Sequence, residues 1–329
     1  MNEFEAKTAV AEAGRILLHE GLVARTWGNM SCRIDETTFA ITPSGLGYEG
    51  MTADDVVVYD MADDSWRGSR KPSSEKGVHI AAYKRFADAC FVIHTHQAYA
   101  SALGLAGFEA LSPTEEENAA LGGIALSAYG LPGSKRLWAN VEEALSTGAH
   151  VVLMAQHGAL IAGYDQSDAC ERARLLEVVC KRACKGQSAE GEAPERLLRL
   201  VSRVSGYFPH VAYTAAPPAR EAAARIGTFR AQLDDMAQMI GPRLVAVAAE
   251  PEAIIKALKS RGAVLVKGLG AVCRADEPGD CEALKLLVEK ACVACLHTRA
   301  LGVKRPLSAL DARVMRVIYM RKYSKKIRG

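Results

Sequence analysis

The chain has 329 residues, is 49% hydrophobic and carries a formal charge of +3 at pH 7. That length accommodates two domains of ordinary size, and that composition excludes intrinsic disorder. The near-neutral charge gives no general argument for nucleic acid or a membrane as partner. No charged leader with an apolar core stands at Met1 and no long apolar span follows, so the expected location is the cytoplasm. Nine cysteines lie in apolar contexts and read as reduced core thiols. Cys292-Val293-Ala294-Cys295 has the spacing of a metal or redox pair, but it falls mid-helix by pattern, without a second pair, and reads as packing.

In chain order, Phe4, Ala9, Ala13, Ile16 and Leu17 recur at helical spacing between Glu3 and Glu20, and Gly21 ends that helix. Trp27 to Ile34 alternates as a strand, Thr38 to Thr42 pairs back on it, and Val56 to Asp60 adds a third strand, an antiparallel meander. Two small-residue loops intervene, Thr42-Pro43-Ser44-Gly45 and Lys71-Pro72-Ser73-Ser74-Glu75. The second opens a helix from about Glu75 to Phe86. Cys90 to Gln97 is an apolar, β-branched strand, followed by helical patterns at Ala98 to Leu105 and Ser134 to Ser146. Between these, Ser112 to Gly123 is a loop or short helix bearing Glu115, Glu116 and Glu117. Val151 to Gly158 is a second apolar strand ending in a histidine, Ala159 to Ala162 a further strand, and Asp165 to Lys185 a long helix.

The small, polar stretch from Lys185 to Pro194 marks a domain boundary. The expected division is a catalytic domain at 1–185, a linker and connecting helix at 186–204, and a third part at 205–329. Within the last, Ala263 to Val272 with Asp280, Glu289 and Cys292 matches Val151 to Ala159 with Asp168, Glu177 and Cys180 at a constant offset. Leu269 stands where the first copy has His157. The expectation is therefore a degenerate, metal-free partial repeat; chance similarity of two apolar β-β-α units is the alternative. The chain ends in a basic tail of Arg313, Arg316, Arg321, Lys322, Lys325, Lys326 and Arg328, read as a solvated basic helix or an attractor of phosphate.

Side chains at i and i+2 of a strand leave the same face, so His94 and His96 point together. Two such imidazoles can reach one divalent ion at roughly 2.1 Å, or form a hydrogen-bonded core pair. His157, at the end of a second apolar strand, supplies a third imidazole and favours the metal. Three histidines leave a coordination position open, as a catalytic site requires. Glu75, at the junction of the Ser-Ser loop with a helix, is both a first-turn acid favoured by the helix dipole and a carboxylate placed to move protons. His79, one turn further, reads as capping or packing. Gly28, Asn29, Ser44, Gly45, Ser73 and Ser74 belong to three turns whose N–H groups and hydroxyls suit a phosphate.

Thr26-Trp27-Gly28-Asn29-Met30-Ser31, Thr42-Pro43-Ser44-Gly45, Lys71-Pro72-Ser73-Ser74-Glu75, His94-Thr95-His96 and Gln156-His157-Gly158, in this order and spacing, resemble the class II aldolase/adducin family over about residues 3 to 185. The resemblance implies a three-layer α/β/α domain around a mostly antiparallel sheet, followed here by a smaller α/β domain that partly repeats it. It further implies Zn2+ on His94, His96 and His157, Glu75 as acid/base, and a sugar phosphate or similar small molecule held by Gly28, Asn29, Ser44, Gly45, Ser73 and Ser74. A homo-oligomer, dimer or tetramer, is expected, with neither nucleic acid nor membrane as partner. The implied activity is that of a zinc-dependent aldolase, a lyase making or breaking a C–C bond in a ketose phosphate or related hydroxy-carbonyl compound through a metal-stabilised enediolate. One departure stands out: Pro113 to Gly123 lacks the tyrosine expected of the fuculose-phosphate aldolase branch and carries acids, as in the epimerase and dehydratase branches. Glu116 is the catalytic candidate there, a charged surface loop the plainer reading, and Tyr319 or Tyr323 the candidate C-terminal tyrosine. The alternatives are thus a sugar-phosphate 4-epimerase, dehydratase or decarboxylase on the same scaffold, or a non-catalytic adducin-like assembly protein.

Overall fold

The computed structural model describes residues 1–107, 111–186 and 194–323, which fall into two units, Met1–Ala183 and Cys184–Gly329. Residues 187–193 of the expected linker, and Lys325, Lys326 and Arg328 of the basic tail, lie outside the described residues.

The first unit is built on eight strands: β1 (Asn29–Arg33), β2 (Thr38–Ile41), β3 (Val57–Asp60), β4 (Ser65–Arg67), β5 (Phe91–Thr95), β6 (Ile124–Ser127), β7 (Val151–Met154) and β8 (Gly158–Gly163). They lie in the order β4-β3-β2-β1-β5-β8-β7-β6. Every neighbouring pair is antiparallel except β6 and β7, so the sheet is mostly antiparallel, as expected. The short strands β4 and β6 have no sequence signal of their own. β6 is a four-residue edge that leans on β7 for its pairing, and β4 is exposed along its whole length.

Helices cover both faces. The apolar side chains of α2 (Lys76–Arg85) and α5 (Lys135–Leu145), among them Val78, Ala82, Leu137, Val141 and Leu145, pack with Phe39, Val57, Val92, Val152 and Leu160 of the sheet. The opposite face receives α1 (Glu3–His19), α3 (Ala98–Ala106) and α6 (Gln166–Ala183), with α4 (Glu115–Leu121) against α6. α1 begins where Asn2 and Glu5 cap each other reciprocally, which satisfies two of the helix's orphan donors.

Strand β5 sits between β1 and β8, so its backbone is paired on both edges: His94 lies opposite Asn29 on one side and Leu160 on the other. β8 approaches β5 so closely that a Cβ on Gly158 would lie 2.1 Å from the Thr95 carbonyl oxygen. Only glycine fits between the third histidine and its strand.

The second unit holds a four-stranded sheet in the order β12-β13-β14-β9, from β9 (His210–Thr214), β12 (Ala246–Val247), β13 (Ala263–Val266) and β14 (Gly270–Ala275), and a separate pair, β10 (Phe229–Arg230) with β11 (Arg243–Leu244). Its core joins Leu197, Leu200 and Val204 of α7 (Glu195–Ser205) and Ile254 and Leu258 of α10 (Pro251–Leu258) to Val264, Val266 and Val272. α8 (Pro217–Glu221) and the long α11 (Pro278–Ala300) also pack on this sheet, and α9 (Asp234–Met239) packs on α12 (Ala309–Ile318). Cys292 and Cys295 are buried along α11, and none of the nine cysteines is in a disulfide. Burial pushes the Cys295 thiol up to about 11, the signature of an inert core cysteine. No helix among the described residues is long and apolar enough to cross a membrane.

Candidate metal centre and active site

β5 delivers His94 fully buried at the middle of the sheet, and its Nδ1–H donates to the Ala159 carbonyl on β8 at 2.9 Å. That bond fixes the tautomer and leaves the Nε2 lone pair facing inward. His96, just past the strand, brings its own Nε2 to 3.1 Å from that of His94. The β7–β8 turn brings in His157, whose ring stacks on that of His94 at 4.8 Å and 8°, while His96 stands edge-on to both. Glu75 completes the group, with Oε2 at 3.3 Å from His94 Nε2 and Oε1 at 3.0 Å from His157 Nε2. The ligand atoms of all four residues lie within 4.8 Å of one another.

Lone pairs of imidazoles facing each other in a buried site repel unless a cation lies between them. The buried Glu75 Oε1 likewise accepts no hydrogen bond. Three imidazole nitrogens and one carboxylate form a donor set that fits a divalent transition metal and leaves room for a further ligand. Burial of the Glu75 carboxyl works to raise its pKa, but the His94 and His157 imidazoles outweigh that and hold it well below the usual carboxylate range.

Behind Glu75 runs a chain of buried polar groups that sequence reasoning missed. The Asn29 amide donates from Nδ2 to Glu75 Oε2 at 3.0 Å, and its Oδ1 accepts from His79 Nε2–H. With Nε2 donating, His79 Nδ1 accepts from the Ser31 hydroxyl at 2.7 Å, and Ser31 Oγ in turn accepts from the Tyr83 hydroxyl at 2.7 Å. Only one orientation of each group satisfies the whole chain, so Glu75 meets a fixed donor. Burial above all, then the neighbouring His94, lowers the His79 pKa to about 3, which keeps the ring neutral. His79 therefore does more than pack. Its signal was present in the helical and strand periods: Glu75, His79 and Tyr83 recur every four residues, and Asn29 and Ser31 share one face of β1.

The expected phosphate loops come together around the same residues. Pro43 and Pro72 form a β-bridge, the Ser44 N–H donates to Lys71 O at 2.9 Å, and the Ser73 N–H donates to Thr42 O at 3.1 Å. Ser73 Oγ accepts from the Glu75 N–H at 3.2 Å, which seats Glu75 at the N-cap of α2 and starts the helix one residue later than expected. Gly45 has φ 78°, and Ser74 lies against Gly133. Gly28 has φ 81°, and a Cβ there would lie 2.5 Å from the His94 carbonyl oxygen; Tyr48 Oη donates to the Gly28 carbonyl at 2.6 Å. Asn29 lies in strand β1, with its side chain engaged by Glu75 and His79, so its place is behind Glu75 and not in a phosphate loop.

Glu116 stands apart from this group in the exposed first turn of α4, where it accepts from Thr114 Oγ1 at 3.2 Å. Its neighbour Glu117 caps the helix reciprocally with Thr114 and pairs with Arg182. Tyr319 follows α12 in the second unit, and the side chain of Tyr323 lies outside the described residues.

The family model of the class II aldolase and adducin N-terminal domain matches residues 8–184. The chain belongs to that family. Among solved structures, an L-fuculose 1-phosphate aldolase is 28% identical, with 54% of this chain and 84% of that one covered at a TM-score of 0.49. YgbL of Escherichia coli, described as an aldolase/epimerase/decarboxylase, is 24% identical, with coverages of 55% and 88% and a TM-score of 0.51. YgbL of Klebsiella pneumoniae is 23% identical, with coverages of 55% and 89% and a TM-score of 0.50. The two YgbL structures show that the first unit has the class II aldolase fold. Class II aldolases use a divalent metal, and the four-residue cluster lies wholly within the matched span. The match ends beside Ala183, where the first unit ends.

Proposed function

We propose that the first unit is a zinc-dependent aldolase that makes or breaks a C–C bond in a ketose phosphate or a related hydroxy-carbonyl compound. One observation carries this reading: three imidazole Nε2 atoms and the Glu75 carboxylate converge in a buried site, their ligand atoms within 4.8 Å of one another. His94, His96 and His157 would hold the ion. When bound, such an ion supplies Lewis acidity toward the carbonyl and hydroxyl oxygens of a substrate.

The chain's own residues do the remainder. In the synthetic direction the ionised Glu75 carboxylate takes the proton from the carbon next to the carbonyl, leaving an enediolate that attacks an aldehyde. Cleavage is the reverse, the hydroxyl losing its proton as the C–C bond breaks and the then-protonated Glu75 returning a proton to the enediolate carbon. Asn29, held by His79, keeps the carboxylate aimed. The loops at Gly28, Ser44, Gly45, Ser73 and Ser74 carry hydroxyls and backbone N–H groups of the kind that bind phosphate, the Ser44 and Ser73 N–H groups being spent on joining the two loops. A 4-epimerase, dehydratase or decarboxylase would use the same donor set, so the nature of the product decides among them.

Metal analysis of the purified protein, followed by a panel of ketose and aldose phosphates, is the test. The expected result is one zinc per chain and aldehyde release from a ketose phosphate, with Glu75→Gln lowering turnover about 10²- to 10⁴-fold. Isomeric or dehydrated products in place of an aldehyde would move the assignment to the sister reactions. A protein that neither contains nor takes up a divalent ion would leave the non-catalytic, adducin-like reading.

A further inference from the structure

Arginine is always charged in proteins, and its planar fork of donors matches phosphate and carboxylate oxygens two at a time. In this chain most arginines with a described ionic partner sit at the surface beside one acid, as Arg67 does with Glu3 or Arg225 with Glu221. Five arginines of the second unit differ. Arg230 on β10, Arg243 on β11, Arg261 before β13, and Arg313 and Arg316 on α12 line two adjoining cavities of ≈250 Å³ and ≈530 Å³, which share Pro242, Arg243 and Arg313. Among the described residues neither cavity has an aspartate or glutamate in its lining. Among the described residues, none of the five makes an ion pair.

Two of these guanidinium groups are anchored by the main chain. Arg316 Nη1 donates to the carbonyls of Gln238 and Met239 at the end of α9, at 2.7 and 2.5 Å, and Arg230 Nη2 donates to Leu307 O at 3.2 Å. Arg261 Nη1 donates to Ser260 Oγ, whose residue also lines the larger cavity. Arg313 and Arg316 lie three apart on α12 and so present on one side of it. Arg316 is half-buried, and burial lowers its pKa. A half-buried cation without a counter-ion, held among four others, is costly to maintain. A multiply charged anion removes that cost.

We propose that these five arginines form a binding site for a small anion carrying two or more linked phosphate groups. One phosphate faces Arg230, Arg243 and Arg313, the other Arg243, Arg261, Arg313 and Arg316. The larger cavity has the size of a small-molecule site. Among the described residues no aromatic side chain lines either cavity, so they offer no stacking platform of the kind that single-stranded nucleic acid uses. The site lies outside the span matched by the family and uses α12, which follows the last repeated helix.

The experiment uses the full-length protein. Orthophosphate, pyrophosphate and tripolyphosphate are titrated at constant ionic strength by calorimetry, alongside thermal melts. Pyrophosphate and tripolyphosphate should bind at least tenfold more tightly than orthophosphate and raise Tm. The exposed pair Arg243→Gln/Arg313→Gln should lose that preference at least tenfold while keeping its metal content and its own unliganded Tm. Equal affinity for all three anions would overturn the proposal, as would pyrophosphate binding unchanged in the double variant, which would put the ligand at the metal centre. A 20-nucleotide single strand that binds more tightly than tripolyphosphate through the same arginines would overturn it in favour of nucleic acid.

Discussion

The β7-β8-α6 segment of the first unit and the β13-β14-α11 segment of the second have the same strand bounds and the same helix start at a spacing of 112 residues, α11 running on further at its end. Val151 corresponds to Ala263, Gly158 to Gly270, and Gln166 to Pro278. β5 and β9 correspond at a spacing of 119, Phe91 with His210 and Thr95 with Thr214. The registers agree as well, since Thr95 pairs with Ala159 and Thr214 with Ala271. The close approach is repeated too: a Cβ on Gly270 would lie 2.2 Å from the Thr214 carbonyl oxygen. What differs is the chemistry hung on this frame. His94, His96 and His157 correspond to Tyr213, Ala215 and Leu269, and Glu75, the N-cap of α2, corresponds to Pro194, the N-cap of α7.

Two further differences show what the site demands. Gln156, just before His157, is held at φ 62°, whereas the matching residue is Gly268 at φ 73°. The frame needs a left-handed residue in that turn, and only the unit with the histidines places a side chain there, at a cost of about 1–2 kcal/mol. Glu177 on α6 accepts from the N–H groups of Tyr99 and Ala100 at 3.0 and 3.1 Å. The corresponding Glu289 faces a helix that begins Pro217-Pro218, where those donors are partly gone, and burial raises its pKa. The frame is common property, and the left-handed Gln156 lies beside the histidines, while the second unit buries an ion pair of its own, Lys290 with Asp235 at 2.6 Å. The second unit thus repeats part of the frame without the counterparts of His94, His96, His157 and Glu75.

The largest effect should come from making the first unit resemble the second. His157→Leu should lower metal affinity by more than about 100-fold, beyond what loss of an outer partner costs, while its melting remains a single cooperative transition. Metal content by mass spectrometry and circular dichroism check this; retention of stoichiometric metal would remove His157 from the ligand set. Next comes the buried chain behind Glu75, where His79→Gln should lower turnover about 10- to 100-fold. His79 also has a pH signature. Its folded pKa of about 3 lies below the ordinary 6.5, so the unfolded chain takes up a proton first as pH falls. Its contribution is therefore complete above about pH 6.5 and is lost between there and pH 3, at up to about 1.4 kcal/mol per pH unit. Denaturation midpoints of His79→Gln should decline less steeply in that window, and parallel slopes would contradict the assignment. The smallest effect is that of Gln156→Gly, which should stabilise the fold by about 1 kcal/mol, read as an upward shift of the denaturation midpoint; a loss of stability would mean that the Gln156 side chain repays its strain.

Much of the site was legible because strand geometry is local. His94 and His96 are two residues apart, and His157 ends an apolar run, so alternation alone aims them. Glu75 was legible from the loop-to-helix junction. The chain through Asn29, Ser31, His79 and Tyr83 was not, because it depends on how α2 lies across β1, a pairing of residues about fifty positions apart. The five arginines come from four segments and were visible only in part, as a basic C-terminal run. The matching of β5 with β9 escaped notice for the opposite reason: the residues that make β5 recognisable are the ones β9 has exchanged.

The chain from Tyr83 through Ser31, His79 and Asn29 to Glu75 starts and ends on α2 but passes through β1. It acts as a rivet between that helix and the centre of the sheet. If α2 swung away, Asn29, Ser31, His79 and Glu75 would each lose a buried partner, at about 1–3 kcal/mol apiece. The helix that carries Glu75 should therefore open only with the central sheet, and the Glu75 amide is expected to exchange as slowly as those of a core strand although it sits at the end of a loop.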